Sequence, residues 1–388
     1  MMESFEFYNP VRLLFGEGQT AAIDRYVPRD ARVLITYGGG SILRNGIFDE
    51  VCAALGDRTF TTFGGIEANP RYETLIKALD IIQEHGINFL IAVGGGSVID
   101  GTKFIVAANA YPGEDKWELL TRRSNLDRLG NVLPYGVVLT LSATGSEMNA
   151  GAVISREETQ EKYSFQSEKV FPRFSVIDPR HQLSLPRRQI ANGVVDTFVH
   201  VVEQYLTYPV DARVQDRFSE GLMRTLVEIG PRVMDNPQDL SLRANLAMAA
   251  TMGLNGLIAT GVPEDWATHL IGHELTALFG LDHAVSLAVV LPALLRDQFE
   301  AKRAKLAQCG ARVFDVVEED EELAARKTID AIESFLRVMI GKIRLSDYGV
   351  VLGDAAVVWQ RFADREWQLG ERGTVDAAAV ERILTAAL

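Results

Sequence analysis

Two runs of β-branched and aliphatic residues each end in three consecutive glycines. Arg32-Val33-Leu34-Ile35-Thr36 leads into Gly38-Gly39-Gly40, and Asn88-Phe89-Leu90-Ile91-Ala92-Val93 leads into Gly94-Gly95-Gly96. A strand that stops at glycine and gives way to helical periodicity marks a parallel sheet. Parallel neighbours need a crossover, and the crossover helices cover both faces. The spacing predicts helices over residues 42–55 and 72–84, and further strands over 133–141 and 174–177. After Pro179 the pattern changes. Pro186 suits the first turn of a helix running to about Leu206, and Asn236-Pro237 breaks the chain before the next. Residues 243–259, 265–279, 284–301 and 322–341 all carry helical periods. The expected architecture is an α/β half with a parallel sheet, then an all-α half, with the boundary near residues 179–185.

At 388 residues the chain has room for two domains. Acidic residues outnumber basic ones by 52 to 39, and a net charge of −13 repels phosphate backbones, so no nucleic-acid partner is expected. Cys52 and Cys309 lie far apart and form no CxxC pair, which argues against a disulfide framework and fits a reducing compartment. No apolar stretch is long enough to span a bilayer, and the first residues lack the basic and apolar regions of a secretory leader. A soluble, cytoplasmic protein with no membrane partner is expected.

Gly94, Gly95, Gly96 and Ser97 follow a strand and open a helix. Without Cβ atoms such a loop brings its N–H groups against a pyrophosphate, and the helix N-terminus adds positive character. The plain alternative is a tight turn, and the spacing is not GxGxxG. Asp100, early in that helix, complements the helix dipole. Thr140 and Thr144 supply hydroxyls at a second strand end, where a helix cap is the simpler reading. Gly38, Gly39, Gly40 and Ser41 bear on cofactor choice. NAD sites commonly place an acid after the strand for the ribose 2′-hydroxyl, whereas no acid stands here before Asp49, which leaves room for a 2′-phosphate.

Four of the six histidines lie between His200 and His283. Asp196 and His200 are four apart and share a helix face. With Asn192 and Glu203 they form a polar strip on a helix otherwise lined by Val194, Val195, Phe198, Val199, Val201 and Val202. His269 and His273 are again four apart. Gly280 ends their helix and Asp282 looks like the cap of the next, placing His283 in its first turn. Asp–His pairs are ordinary structural features. Two such helix-face sets and a further histidine are better read as a divalent-metal site, which zinc and iron would both accept. The peptidase signature HExxH is absent, because Glu274 follows the second histidine.

With these residues assembled, the chain resembles the iron-containing (group III) alcohol dehydrogenase superfamily over nearly its whole length. It is most similar to the branch of NADPH-dependent aldehyde reductases and butanol dehydrogenases. The likeness is carried by Phe15-Gly16-Glu17-Gly18, Tyr37-Gly38-Gly39-Gly40-Ser41, Gly94-Gly95-Gly96-Ser97-Val98-Ile99-Asp100-Gly101-Thr102-Lys103 and Ala143-Thr144-Gly145-Ser146-Glu147. It continues through Ala191-Asn192-Gly193-Val194-Val195-Asp196 and the eleven residues from Asp265 to Leu275. The resemblance implies a Rossmann-like NAD(P)-binding domain over residues 1–182 and an all-helical metal-binding and substrate domain over 183–388. It implies that Asp196, His200, His269 and His283 ligate one iron or zinc ion, with His273 as the nearby catalytic or substrate-side histidine. It places Gly94, Gly95, Gly96 and Ser97 at the pyrophosphate, Thr140 and Thr144 at the nicotinamide, and Gly38, Gly39, Gly40 and Ser41 at the adenosine ribose, counts Asp100 among the cofactor-binding residues, and has Lys162 approaching the nucleotide. Ala284 follows the last ligand where many members have glycine, a feature that branch shares.

The expected chemistry is reversible hydride transfer between NADP(H) and short to medium aliphatic aldehydes, in an interdomain cleft, by a homodimer. A lyase of the dehydroquinate-synthase kind is the main rival. It would need a basic pocket for an acidic sugar, of which the apolar ligand helices give no sign. A metallohydrolase lacks HExxH and leaves the glycine loops unexplained, and a nucleotide sensor would have no use for the full Asp/His set.

Overall fold

The computed structural model describes residues 1–388. Eight strands are present: β1 (Arg12–Phe15), β2 (Arg32–Tyr37), β3 (Thr59–Phe63), β4 (Phe89–Gly95), β5 (Tyr135–Leu141), β6 (Gly151–Arg156), β7 (Glu161–Gln166) and β8 (Phe174–Ile177). Six form one sheet in the order β1-β8-β5-β4-β2-β3, with every neighbouring pair parallel. Its strands bury both faces by alternation. Val33, Ile35, Ile91 and Val93 pack on one side with Ile23, Val51 and Leu55, while Leu34, Leu90 and Ala92 pack on the other with Ile82, Ile99 and Phe104. The remaining strands, β6 and β7, make an antiparallel hairpin that the sequence reading did not anticipate.

Helices α1 (Ile47–Leu55), α2 (Tyr72–Leu75), α3 (Ala78–His85), α4 (Gly96–Ala110) and α5 (Glu118–Thr121) accompany the sheet. The helix expected over 42–55 begins only at Ile47, because Gly46 sits at φ +83° and interrupts the α conformation. The one expected over 72–84 is split into α2 and α3. Beyond Leu185 come α6 (Arg187–Tyr205), α7 (Arg213–Asp235), α8 (Leu240–Gly253), α9 (Ala267–Phe279), α10 (His283–Asp297), α11 (Phe299–Val313), α12 (Glu321–Ile340), α13 (Leu352–Asp364) and α14 (Ala377–Ala386). Pro186 stands at the N-cap of α6, and Gly280 ends α9. No helix is long and apolar enough to cross a membrane.

Tyr8–Leu185 together with Gln238–Ala247 form one compact unit, and Met1–Phe7, Pro186–Pro237 and Met248–Leu388 form another. The second unit is built on α6. Val194, Val195, Phe198, Val199, Val201 and Val202 are all buried, and the Phe198 ring lies 4.9 Å from that of Phe335. A helix apolar on every side is a core element, so the polar strip it carries is costly unless each polar group is used.

Candidate active site

In the α/β unit the three loops singled out in the sequence fall on neighbouring strand ends. Tyr37 is in register with Val93, and Gly95 with Leu141, so Gly38, Gly39, Gly40 and Ser41, then Gly94, Gly95, Gly96 and Ser97, then Thr140 and Thr144 lie at or just past the carboxyl ends of β2, β4 and β5. Strand order reverses at β2, whose neighbours are β3 on one side and β4 on the other. The carboxyl ends at such a switch point are where open α/β sheets bind ligands. The loops are also tightly fitted. A Cβ added at Gly96 would stand 2.4 Å from Thr144 Oγ1, which leaves no space for any side chain at the start of α4. Gly39 and Ser41, by contrast, are exposed.

The polar groups beneath these loops are engaged. Asp100 accepts from Ser146 Oγ at 2.6 Å and from Val153 N at 2.9 Å. Lys103 donates to Ser146 Oγ, Asn149 Oδ1 and Gly151 O at 2.7–2.8 Å. Burial pushes the Asp100 carboxyl up and brings the Lys103 ammonium down to about 8. Lys162, on β7, donates to Asn69 Oδ1 at 2.9 Å, and Asn69 N donates to Ser97 Oγ at 3.3 Å. Asn69 was not singled out in the sequence. Its signal was the Asn69-Pro70 step, and its φ of +59° makes the turn that brings Lys162 to the glycine loop.

In the helical unit the side chains of Asp196, His200, His269 and His283 converge. Asp196 Oδ1 lies 3.8 Å from His200 Nε2, 3.7 Å from His269 Nε2 and 3.5 Å from His283 Nε2. These separations exceed the hydrogen-bond range of about 2.7–3.2 Å. Donors 2.0–2.2 Å from one shared ion at tetrahedral angles stand roughly 3.3–3.6 Å apart. The spacing therefore fits a common cation better than a network of hydrogen bonds. The donor atoms of Asp196, His200 and His269 all lie within 4.8 Å of one another. His283 joins this group through Asp196. Its side chain is 23% exposed, against 5–8% for the other three, so the group is open on that side.

His269 is oriented by Glu203, one α6 turn beyond His200. Its Nδ1 hydrogen-bonds to Glu203 Oε2, while Thr268 N donates to Glu203 Oε1 at 2.6 Å. A carboxylate on Nδ1 fixes the tautomer that presents Nε2 to Asp196. Burial lowers the basicity of this imidazole, but Glu203 and Asp196 outweigh it and raise the pKa to about 9. The pocket thus favours positive charge at this point, from a proton or a cation. Glu203 was visible in the sequence only as part of a polar strip, because its partner lies 66 residues away. His273 stands beside His283, with ring centroids 5.3 Å apart. Asp282 occupies the N-cap position of α10 without a side-chain cap. It accepts instead from Asn192 Nδ2 at 3.3 Å and pairs with Arg188 at 3.4 Å. Another His/acid group, Glu50, Asp178 and His181, differs in that Asp178 is already held by Arg180 and by the N–H of Gly18.

Residues 10–179 match the family model for iron-containing alcohol dehydrogenases, and residues 190–388 match the C-terminal model of the same family. The chain is 48% identical to the NADPH-dependent aldehyde reductase YqhD of Escherichia coli (strain K12), over 100% of both chains. It is 40% identical to the probable NADH-dependent butanol dehydrogenase 1 of Bacillus subtilis (strain 168), over 90% of each. The crystal structure of E. coli K-12 YqhD superposes with a TM-score of 0.97, covering 100% of this chain and 99% of that one. NADH-dependent butanol dehydrogenase A of Thermotoga maritima gives 0.92 at 32% identity, covering 100% and 99%.

Proposed function

Because the chain belongs to the iron-containing alcohol dehydrogenase family, we propose that it interconverts short to medium aliphatic aldehydes and their alcohols with NADP(H) and one bound divalent ion. The observation that carries this reading is the convergence of three imidazole Nε2 atoms on Asp196 Oδ1 at 3.5–3.8 Å. In bound form, NADPH supplies the hydride, and an iron or zinc ion supplies the Lewis acidity that makes the aldehyde carbon accept it.

Asp196, His200, His269 and His283 would hold the ion; one carboxylate and three imidazoles suit either metal. Glu203 keeps the proton of His269 on Nδ1 and so leaves Nε2 as a donor. His273, next to His283, orients the substrate or passes the proton that completes the alcohol. Gly94, Gly95, Gly96 and Ser97 would bind the pyrophosphate through backbone N–H groups, and Thr140 and Thr144 would flank the nicotinamide. Gly38, Gly39, Gly40 and Ser41 would receive the adenosine ribose and its 2′-phosphate. Asp100 and Lys162 support these loops through Ser146 and Asn69. This division assigns the nucleotide to the unit of Tyr8–Leu185 with Gln238–Ala247, and the metal and substrate to the unit of Met1–Phe7, Pro186–Pro237 and Met248–Leu388, so the expected division into 1–182 and 183–388 holds except for Met1–Phe7 and Gln238–Ala247.

The test follows NADPH absorbance with butanal, before and after chelation and again after Fe²⁺ or Zn²⁺ is restored. Turnover should vanish with chelation and return with metal, and undiminished turnover in the stripped protein would overturn the reading. Short aldehydes should outrun acidic sugar phosphates in the same assay. For cofactor choice, Gly39→Asp is informative, since a Cβ there meets nothing within 4 Å. The added carboxylate should repel a 2′-phosphate and move preference from NADPH toward NADH. Wild-type turnover that is equal or better with NADH would count against the 2′-phosphate reading. A cytoplasmic homodimer completes the proposal, and light scattering on the purified chain tests the dimer.

A further inference from the structure

Lys302, on α11, is buried at a point where three chain segments meet. Its Nζ donates to Leu206 O at 2.7 Å, to Asp265 Oδ2 at 2.5 Å and to Glu371 Oε2 at 3.0 Å. The side chains of Lys302, Asp265 and Glu371 are only 3–5% exposed. Leu206 is the C-cap residue of α6, where an ammonium also meets the negative end of the helix. Asp265 lies just before α9. Three hydrogens are thus matched by three oxygens, one from each segment.

What Asp265 does with its other atoms links this cluster to the donor histidines. Its N–H donates to Glu203 O at 2.9 Å, and its Oδ1 accepts from Ala267 N at 2.8 Å. Between Asp265 and Ala267, Trp266 takes φ +61°, a left-handed conformation that bulky residues avoid. Its ring stands 5.3 Å from His269 and 6.1 Å from His200. The joint between α6 and α9 is therefore a strained turn, stapled on both sides by Asp265 and held down at Oδ2 by Lys302. Without the ammonium, Asp265 and Glu371 would face each other as buried carboxyls, one would take up a proton and turn to the other, and Asp265 would lose its tie to the end of α6.

We propose that Lys302 is a positioning residue for the metal centre. By tying the end of α6 to Asp265, it fixes the left-handed turn at Trp266 and hence the spacing of His269 from Asp196 and His200. This rests on the ligand assignment above, so His269→Ala is measured alongside.

The test compares Lys302→Met, Lys302→Arg and Glu371→Gln with wild type, each loaded with Co²⁺. It reads Co²⁺ affinity by chelator competition, the visible Co²⁺ absorption band, NADPH affinity, melting temperature, and kcat and KM for butanal. Lys302→Met should bind Co²⁺ several-fold more weakly, less than the roughly 10- to 100-fold that follows loss of a group hydrogen-bonded directly to a ligand. It should also shift the absorption band and lose kcat more than KM, with NADPH affinity unchanged. Lys302→Arg keeps the charge and should recover part of the affinity. A lowered melting temperature with wild-type Co²⁺ affinity and spectrum would reduce Lys302 to a packing role and overturn the proposal. Should Lys302→Met fail to fold, the other two decide it. Weakened Co²⁺ binding with normal NADPH affinity supports the proposal, and wild-type values in both refute it. Full Co²⁺ affinity in His269→Ala would instead bring down the ligand assignment itself.

Discussion

Replacing Glu203 by Gln changes one oxygen to an NH2 group and leaves shape almost untouched, yet both carboxylate oxygens are committed. Oε2 takes the Nδ1 proton of His269, and Oε1 takes the N–H of Thr268 at 2.6 Å. In the Gln variant one of these two donors must face an NH2. If the amide nitrogen faces Thr268, a buried N–H loses its acceptor, at a cost of about 1–3 kcal/mol. If it faces His269, the imidazole must accept at Nδ1 and carry its proton on Nε2, the atom directed at Asp196. The second outcome weakens cation binding, by roughly 10- to 100-fold or about 1.4–2.8 kcal/mol, whereas the first keeps Nε2 free and shows as lost stability. Chelator competition on the Zn²⁺- or Co²⁺-loaded protein measures this directly, with NADPH titration as the control that should not move. Wild-type metal affinity together with wild-type melting temperature in Glu203→Gln would refute the argument, since neither oxygen of this carboxylate would then be needed where it stands.

His273→Ala should retain the ion and lose turnover by roughly 10²-fold or more through the missing proton path; metal loss comparable to that in His269→Ala would mean the two histidines of α9 are assigned the wrong way round. Gly96→Ala forces a methyl to 2.4 Å from Thr144 Oγ1 and should weaken NADPH binding about tenfold or more, with partial recovery in the Gly96→Ala/Thr144→Ala double variant, measured by titration calorimetry. Lys103 has a folded pKa of about 8, below its ordinary 10.5, because of burial. The folded state therefore releases its proton first, and this group's contribution to stability rises as pH climbs from about 8 toward 10.5. The stability of wild type relative to Lys103→Met should then increase by about 2 kcal/mol between pH 7 and 9.5 in urea unfolding without cofactor; a flat difference would show that Lys103 does not titrate in that window.

The runs ending at Thr36 and Val93 announced strands because their β-branched character, full burial and glycine stops all agree, and β2 and β4 begin and end within two residues of those runs. The hairpin of β6 and β7 gave no such agreement. On β7 the buried positions are Lys162 and Phe165, three residues apart, so no period of two shows, and one of them is a charge whose use is evident only in three dimensions. The helix pattern over 284–301 ran on through Gln298, where the chain turns from α10 into α11; nothing in its periodicity marks that turn. At the metal centre, polar residues on an otherwise apolar helix stood out at once. Glu203 belongs to that strip but its role does not show there, and Trp266 and Lys302 do not stand out, because each takes its meaning from a partner dozens of residues away: His269, His200 and the end of α6.

Asp196, His200 and Glu203 ride on one helix that is walled in on all sides, with seven residues, or about 10 Å, from first to last. Any small displacement of α6 moves these three in step, so errors of placement cannot accumulate among them. Residues 280–282 are the short connection that separates the histidines of α9 from His283, the one donor that neither α6 nor α9 carries. An engineer seeking to admit bulkier aldehydes would do well to leave α6 alone and diversify that connection, where a shift of one donor is not a shift of all. Laboratory selection for new substrates should accordingly accumulate changes around 280–282 and almost none along the buried helix.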